Sequence, residues 1–237
     1  MSTNQTHIEI ASENSYIVYF GDPDSLHISP EVSAAIATVC EQVKLQFGAR
    51  LIDLVASYSS LLVIYDTTQC DHLWAKKALR SILSTPKQDS QSSGQLVKIP
   101  VFYSTKYGPE LTLIAQNAGL SVEQVISIHS TTEYRVYAIG FAPGFAYLGE
   151  VDERLAAPRL ATPRLKVPAG AVAIADRQTA VYPASSPGGW NLIGLCPTPM
   201  FNAEKQPHMP VTVGDRVQFE PIDEQQYLAM GGLLHEL

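Results

Sequence analysis

Four positive side chains stand close together in a chain whose formal net charge is -7. These are Arg154, Arg159, Arg164 and Lys166, and no acid lies between the first and the last of them. A proline precedes both Arg159 and Arg164 and restrains the backbone there. Because a guanidinium group matches a carboxylate or a phosphate in a bidentate manner, this stretch predicts an anion-binding rim for a substrate or phosphate.

The alternative is a solvated loop in which the same cations pair with neighbouring carboxylates and only brace the backbone. In that case no anion is bound and the arginines contribute to stability alone. The acids available for such pairing are Glu150, Asp152 and Glu153.

Two further segments combine glycine, proline and aromatic residues. The first, GFAPGFAYLG at 140–149, is typical of a shaped binding loop, with an aromatic-anchored barrel corner as an equal alternative. The second comprises RQTAVYP at 177–183 and SPGGWNLIG at 186–194, where Pro-Gly-Gly predicts a tight turn beside Trp190. Backbone N–H groups in such a turn can form an anion nest. For Ser185 and Ser186 we favour turn formation over nucleophilic catalysis, since no His–acid arrangement is near.

Standard catalytic signatures are absent from the sequence. It contains no phosphate-binding loop, no dinucleotide fingerprint, no nucleophile elbow and no H-E-x-x-H motif. The three cysteines include no C-x-x-C pair, which argues against a zinc knuckle or a dithiol redox site. We therefore assign no catalytic residue, expect no metal to be ligated by this chain, and do not expect a self-contained ATPase.

Composition and charge narrow the class of protein. Hydrophobic residues make up 46% of the chain and charged residues 16%, which is enough apolar material for packed cores. The acidic balance argues against a nucleic-acid binder. The sequence shows neither a signal-peptide pattern nor an apolar run of roughly 18 to 20 residues, so we expect no membrane association and a cytoplasmic location.

The elements that must position these segments fall into two parts. The polar stretch STPKQDSQSSGQ at 84–95 separates them and predicts a linker. We therefore expect an N-terminal domain at 1–84, a linker at 85–95 and a C-terminal domain at 96–237.

In the N-terminal part, strands alternate with helices, which predicts an α+β fold with a small ferredoxin-like or related sandwich. One helix is expected after Ser29 and before Gly48, and a second is expected to place Leu73, Leu79 and Leu83 near one face. The predicted strands lie at 16–20, 51–56 and 61–65, and the predicted helices at 30–47 and 71–83.

In the C-terminal part, short β-type runs alternate with Pro- and Gly-rich loops, which predicts a mainly β sandwich or a closed barrel. A capping box at 121–124 begins the second of two short helices there. The predicted strands lie at 96–103, 134–139, 172–175, 180–182, 211–213 and 216–220.

The three segments GFAPGFAYLG, PRLATPRLKVPAGAVAIADRQTAVYP and SSPGGWNLIG resemble the signature of the 5-oxoprolinase B-subunit family, also called the KipI or allophanate hydrolase subunit 1 family. The resemblance extends through 101–107, 128–130 and 136–137. It implies a cyclophilin-like, mainly β barrel after the N-terminal domain. It also implies a cytoplasmic complex with a homologous C subunit and with the A subunit, which uses ATP to open 5-oxo-L-proline to L-glutamate and in which this chain alone is inactive.

Combined with the three segments, the resemblance gives the residues expected to bind substrate or an anion, or to line a groove between subunits. They are His129, Phe141, Pro143, Gly144, Phe145, Tyr147, Arg159, Arg164, Arg177, Pro187, Gly188, Gly189 and Trp190. ATP is expected to bind chiefly to a partner chain, because this chain has no recognisable nucleotide site.

Two other activities are open for members of this family. One is inhibition of a sensor histidine kinase, and the other is the carboxyltransferase part of a urea carboxylase or allophanate hydrolase system. The sequence also departs from the family pattern at Leu195 and Cys196, where the family generally has arginine and threonine, and at Ala180, where glycine is common. Peptidyl-prolyl isomerase activity would rest on the barrel fold alone, which is a weak warrant.

Overall fold

The chain divides into two units, Met1–Ser93 and Gly94–Leu237, in a computed structural model that describes residues 6–21, 30–84 and 94–234. The helix cap predicted at Ser29 and most of the predicted linker, residues 85–93, lie outside the described residues. Gly94 and Gln95, which end the polar stretch, belong to the second unit. None of the helices in the described part of the chain combines the length and hydropathy needed to cross a bilayer.

The first unit is a four-stranded antiparallel sheet with two helices on one face. Its elements are β1 (Thr6–Ser12), β2 (Ser15–Phe20), α1 (Pro30–Phe47), β3 (Leu51–Ala56), β4 (Ser60–Tyr65) and α2 (His72–Ser84). Alternate side chains of β2 and β4 point to the helices and are buried there, because successive residues of a strand face opposite sides. This confirms the predicted α+β sandwich.

The strand order β1-β2-β4-β3 explains how this sandwich is ferredoxin-like. In the βαββαβ unit, the edge position beside the first strand is filled by a strand that follows the second helix. Here β1, which precedes the unit, pairs antiparallel with β2 and fills that position. The sequence prediction missed β1, since nearly all of its side chains are exposed and it has no buried apolar face.

Both helices of the first unit lie where the sequence predicts them, but one predicted helix face is wrong. In α1, Ile36, Val43 and Phe47 are buried, and Gly48, expected to end the helix, follows with a φ of 52°. In α2, the prediction that Leu73 shares a face with Leu79 is wrong, because Leu73 is 80% exposed. Six residues separate the two, which places them about 120° apart around a helix of 3.6 residues per turn.

The second unit is built on a closed barrel, with the strand order β10-β7-β6-β13-β5-β12-β9. All barrel pairs are antiparallel except β5 with β13. Two further strands, β8 and β11, form a separate two-stranded ribbon. The strands are β5 (Leu96–Tyr103), β6 (Glu133–Ile139), β7 (Ala146–Gly149), β8 (Arg164–Val167), β9 (Ala171–Ala175), β10 (Gln178–Val181), β11 (Ser186–Gly188), β12 (Asn191–Leu195) and β13 (Arg216–Pro221), and the helices are α3 (Leu111–Ala118), α4 (Val122–Thr131) and α5 (Glu224–Ala229).

The predicted closed barrel is thus confirmed, as is the capping box, in which Ser121 and Gln124 exchange side-chain and backbone hydrogen bonds. The strand predicted at 211–213 is wrong. There the Asp215 carboxylate accepts hydrogen bonds from the Thr212 N–H and hydroxyl, at 2.8 and 3.1 Å. Such local side-chain bonds offer the backbone an alternative to a ladder and favour a turn.

Two of the three positions that depart from the family pattern, Leu195 and Cys196, have structural roles. Leu195 is buried with Tyr107 and Tyr227 on the outside of the barrel. Cys196 is buried, and its sulfur accepts a hydrogen bond from the Thr198 N–H at 3.3 Å. Burial raises the pKa of this thiol to about 11, so it is protonated and unreactive near neutral pH.

His129 lies on α4 and is buried inside the barrel core, where its ring stacks on Phe219 at 4.7 Å. Thr179 donates its hydroxyl proton to the Ala173 carbonyl at 3.0 Å, so it accepts from His129 Nε2–H at 3.0 Å. Tyr103 then donates to His129 Nδ1 at 2.7 Å. This chain of bonds is complete with a neutral imidazole, and burial lowers the pKa of His129 from 6.5 to about 3.

We expect the second unit to fold without the first. A protein that begins at Gly94 should show a single cooperative unfolding transition, because the buried residues of the barrel core, among those that the structure describes, lie between Ile99 and Phe219. The measurement is urea unfolding followed by circular dichroism. The control is a protein that begins at Ile99, which lacks the first three residues of β5 and should unfold non-cooperatively. A Gly94 protein without a cooperative transition would contradict the boundary.

We also expect His129 to make stability fall in acid. Its folded pKa lies below the unfolded value, so its contribution is present above pH 6.5 and is lost as the pH falls from 6.5 towards 3. His129→Gln should lower stability at pH 7 but remove about 2 kcal/mol of the further loss between pH 7 and pH 5, at ~1.4 kcal/mol per pH unit. Urea unfolding at both pH values measures this. His208→Gln, at an exposed loop histidine, is the control, and equal pH dependence in wild type and His129→Gln would refute the assignment.

Candidate functional site

The outer face of the barrel carries a second apolar cluster. Along β9, Val172 and Ile174 point into the barrel, while Ala171, Ala173 and Ala175 point outward. These small side chains leave room for aromatic rings to approach the sheet. The rings that pack there come from the segments predicted as binding loops, and they are Phe145, Tyr147, Tyr182 and Trp190.

The loop at 140–149 buries one aromatic ring and exposes another. Phe145 is buried at the centre of the cluster, with its ring 4.8 Å from Tyr147, 5.3 Å from Tyr182 and 5.6 Å from Trp190. Phe141 is 67% exposed and has a φ of 73°, which is an unfavourable region for a bulky side chain. Strain of this kind is often retained at functional sites.

Glycine and proline in that loop have separate roles. Gly144 has a φ of 85°, and a Cβ atom there would lie 2.5 Å from the Met200 carbonyl oxygen, so only glycine fits. Pro143 is exposed beside it, and Tyr147 is half-buried. Both alternatives from the sequence are therefore present in one loop, since Phe145 anchors it to the barrel and Phe141 is presented to solvent.

The ribbon of β8 and β11 brings together the basic stretch that contains Arg164 and the segment SPGGWNLIG at 186–194. Its register pairs Gly188 with Arg164 and Ser186 with Val167. A Cβ atom at Gly188 would lie 2.3 Å from the Tyr182 hydroxyl, which requires glycine there. Beyond the ribbon, the Gly189 carbonyl accepts a hydrogen bond from the Leu160 N–H at 2.7 Å. Pro187 is exposed, so the Pro-Gly-Gly turn lies at the surface.

Arg164 forms an ion pair that the sequence did not predict. Its Nη2 donates to Glu110 Oε1 at 2.5 Å, and both side chains are largely buried, with 22% and 12% of their area exposed. Glu110 Oε2 in turn accepts the Leu192 N–H of β12 at 2.9 Å. No signal in the sequence pointed to Glu110, because it lies 54 positions from Arg164 and at the start of a predicted helix.

Arg159 lies at the exposed edge of the cluster. Its guanidinium carbon is 5.9 Å from the centre of the Trp190 ring, within cation–π range. No carboxylate lies within 4.0 Å of it in the described ranges. Burial raises the pKa of Tyr182, while the backbone N–H of Trp190 and the guanidinium groups of Arg159 and Arg164 lower it. The charges of both arginines therefore act on the hydroxyl of Tyr182. The sequence did not single out Tyr182 as a site residue.

The two remaining arginines of this region brace the backbone. Arg154 pairs with Asp152 at 2.7 Å, and Arg177 pairs with Glu150 at 2.6 Å and Glu153 at 3.4 Å. The hydrogen bonds from Arg154 lower the pKa of Asp152 to about 2. The bracing alternative therefore describes these two arginines, whereas Arg159 and Arg164 contact none of the three acids named for it.

Of the predicted site residues, the structure gathers those of the three segments around the aromatic cluster and its ribbon. His129 is not among them, since it lies inside the barrel with every ring nitrogen hydrogen-bonded. Arg177 pairs with the acids at 150 and 153, outside the cluster. Nowhere in the described part of the chain do three or more His, Cys, Asp or Glu side chains form a group suited to a metal ion.

Comparison with known proteins identifies a family and relatives of this chain. Residues 6–211 match the family described as carboxyltransferase domain, subdomain C and D. The B subunit of the 5-oxoprolinase of Bacillus subtilis (strain 168) is 37% identical over 237 residues, which cover 96% of this chain and 97% of that protein.

Two solved structures are also similar. The crystal structure of TTHA0988 is 33% identical with a TM-score of 0.77, over 88% of this chain and 40% of that longer chain. The Kluyveromyces lactis urea amidolyase superimposes with a TM-score of 0.75 at 18% identity, over 96% of this chain and 15% of that one, and so shares the fold. The resemblance drawn from the three segments is confirmed, and the chain belongs to the 5-oxoprolinase B-subunit family of carboxyltransferase C and D domains.

Proposed function

We propose that this chain is the B subunit of an ATP-dependent 5-oxoprolinase, which acts with the A and C subunits to open 5-oxo-L-proline to L-glutamate. The observation that carries the proposal is the similarity to a named B subunit over nearly the full length of both proteins. The outer cluster supports it, because Arg159 and Arg164 provide guanidinium donors at one surface, as an anionic substrate requires.

The chemistry explains why partner chains are needed. A lactam is unreactive, and phosphorylation of its oxygen by ATP would activate the carbonyl carbon for attack by water. Positive donors must then offset the developing charge. This chain supplies such donors but no recognisable nucleotide-binding motif. We therefore assign ATP binding chiefly to a partner and place the assembly in the cytoplasm, where ATP is available.

The surface proposed to face the homologous C subunit is the outer cluster itself. Two large apolar side chains are exposed there, Phe141 on the loop at 67% and Leu165 on the ribbon at 94%. Leu165 lies between Arg164 and Lys166 on β8, so an apolar contact is flanked by positive charge. A partner that covers these side chains would close the surface over Arg159 and exclude water from an anion bound there.

The proposal is tested by reconstitution. The purified chain alone should neither hydrolyse ATP nor open 5-oxoproline, and the complex with the A and C subunits should do both in a coupled manner. The measurement is ATP-dependent release of glutamate, with each of the three chains omitted in turn. Turnover by this chain alone would contradict the proposal. A chain that fails to join the A and C subunits but inhibits a sensor histidine kinase would favour the regulatory alternative.

Arginine replacements test the surface. Arg159→Ala and Arg164→Ala should each lower turnover of the assembled complex about ten-fold or more, since a charge-assisted hydrogen bond contributes roughly 1.5–3 kcal/mol. Lysine should restore only part of the activity, because it keeps the charge but loses the fork. Steady-state kinetics on complexes of equal composition measure the effect.

The matched control is Arg154→Ala, which removes an exposed ion pair from the same segment. It should leave kcat and KM unchanged. If Arg159→Ala and Arg164→Ala instead lower the thermal midpoint and keep near-normal turnover, the two arginines only brace the loop and the active surface lies elsewhere.

A further inference from the structure

Glu110 connects the ribbon arginine to the wall of the barrel. One carboxylate oxygen accepts from Arg164 on β8 and the other accepts the Leu192 N–H on β12, while the Glu110 N–H itself donates to the Leu192 carbonyl at 3.2 Å. Glu110 is 9% exposed, so these bonds form away from water. The side chain is therefore fixed from two directions, and it fixes the guanidinium group of Arg164 in turn.

This arrangement leaves part of the guanidinium group without an acceptor. Arg164 Nη1 is buried and has no hydrogen-bond partner among the residues that the structure describes. A buried donor without a partner costs free energy, and Arg–carboxylate pairs are frequently bidentate, which this one is not. The Glu110 contact holds Nη2 alone, so Nη1 keeps its N–H donors for another group.

A second buried polar atom lies on the same face of the ribbon. Ser186 Oγ also has no partner within the described ranges. Gly188 is opposite Arg164 and Ser186 is opposite Val167, with a register irregularity between the two pairs. Val167 packs with Tyr182 in the outer cluster, so both pairs lie on the Tyr182 side of the ribbon. That face meets the Tyr182 hydroxyl, which a Cβ atom at Gly188 would touch. Two unused donors and a phenol therefore converge on one side of the ribbon.

We propose that this face binds an oxyanion of the carboxylate or phosphate class, with Arg164 and Ser186 as donors and Glu110 as the positioning residue that directs Arg164. The inference rests on the proposed function for the reaction that uses the anion, while the geometry is independent of it. The two arginines therefore differ in role, because Glu110 holds Arg164 in a fixed direction whereas Arg159 lies exposed at the edge of the cluster.

The experiment uses the assembled complex of this chain with the A and C subunits. Glu110→Gln keeps the shape of the side chain but has one oxygen for two donors, so Arg164 loses its direction. KM for 5-oxoproline should rise ten-fold or more. The matched control is Glu133→Gln, which breaks the Arg216–Glu133 pair at 2.7 Å in the same unit and should change neither KM nor kcat.

A double-variant cycle shows whether Glu110 acts through Arg164. The complex with both Glu110→Gln and Arg164→Gln should have the same KM as the one with Arg164→Gln alone, because a positioning residue has no effect once its target is gone. If Glu110→Gln does not fold by itself, this pair, which removes both charges together, supplies the comparison. Additive effects of the two replacements would overturn the proposal.

The direction of the change in KM separates positioning from two other roles. If Glu110 only offset the charge of Arg164, Glu110→Gln would lower KM, and if it were purely structural, the thermal midpoint would fall with KM unchanged. Either result overturns the proposal. Binding of inorganic phosphate to the complex, measured by calorimetry, tests the site even where 5-oxoproline is not turned over. Phosphate should bind wild type more tightly than Glu110→Gln, and equal affinity would refute the site.

Discussion

The alternation of side-chain size along β9 is the constraint on which the second unit depends. Large β-branched residues at 172 and 174 fill the barrel, and alanines at 171, 173 and 175 face outward. A strand that is apolar on both faces must be covered on both. The inner cover is the barrel core, and the outer cover is the aromatic cluster carried by the loops. The position of those loops therefore follows from the packing needs of a buried strand.

Once the loops are anchored in this way, the charges around them separate into two groups. Arg154 pairs with Asp152, and Arg177 pairs with Glu150 and Glu153, so these ion pairs fix the backbone at the cluster's margin. Arg164 is carried away from those acids by the ribbon and meets Glu110 instead. The same residue type thus has two physical roles within a short stretch, and tertiary structure decides between them.

Local chemistry was enough to predict much of the fold. The run 96–103 is β5 to the residue, and the cap at Ser121 begins α4 as expected, because both signals lie within a few neighbouring positions. The three segments recognised in the sequence likewise meet at the outer cluster and its ribbon. Features that depend on long-range contacts could not be predicted from the sequence. β1 has no buried face to reveal it, and the partner of Arg164 lies 54 positions away on another element.

Closure of the barrel has a consequence for how the protein is made. β5 is the first barrel strand to leave the ribosome, yet its neighbours are Asn191–Leu195 and Arg216–Pro221. Until those segments have been synthesised, β5 presents two open edges and the apolar side chains of Ile99 and Val101, a combination that favours aggregation. Translation that stalls before Arg216 therefore leaves a nascent chain that depends on chaperones rather than on its own fold.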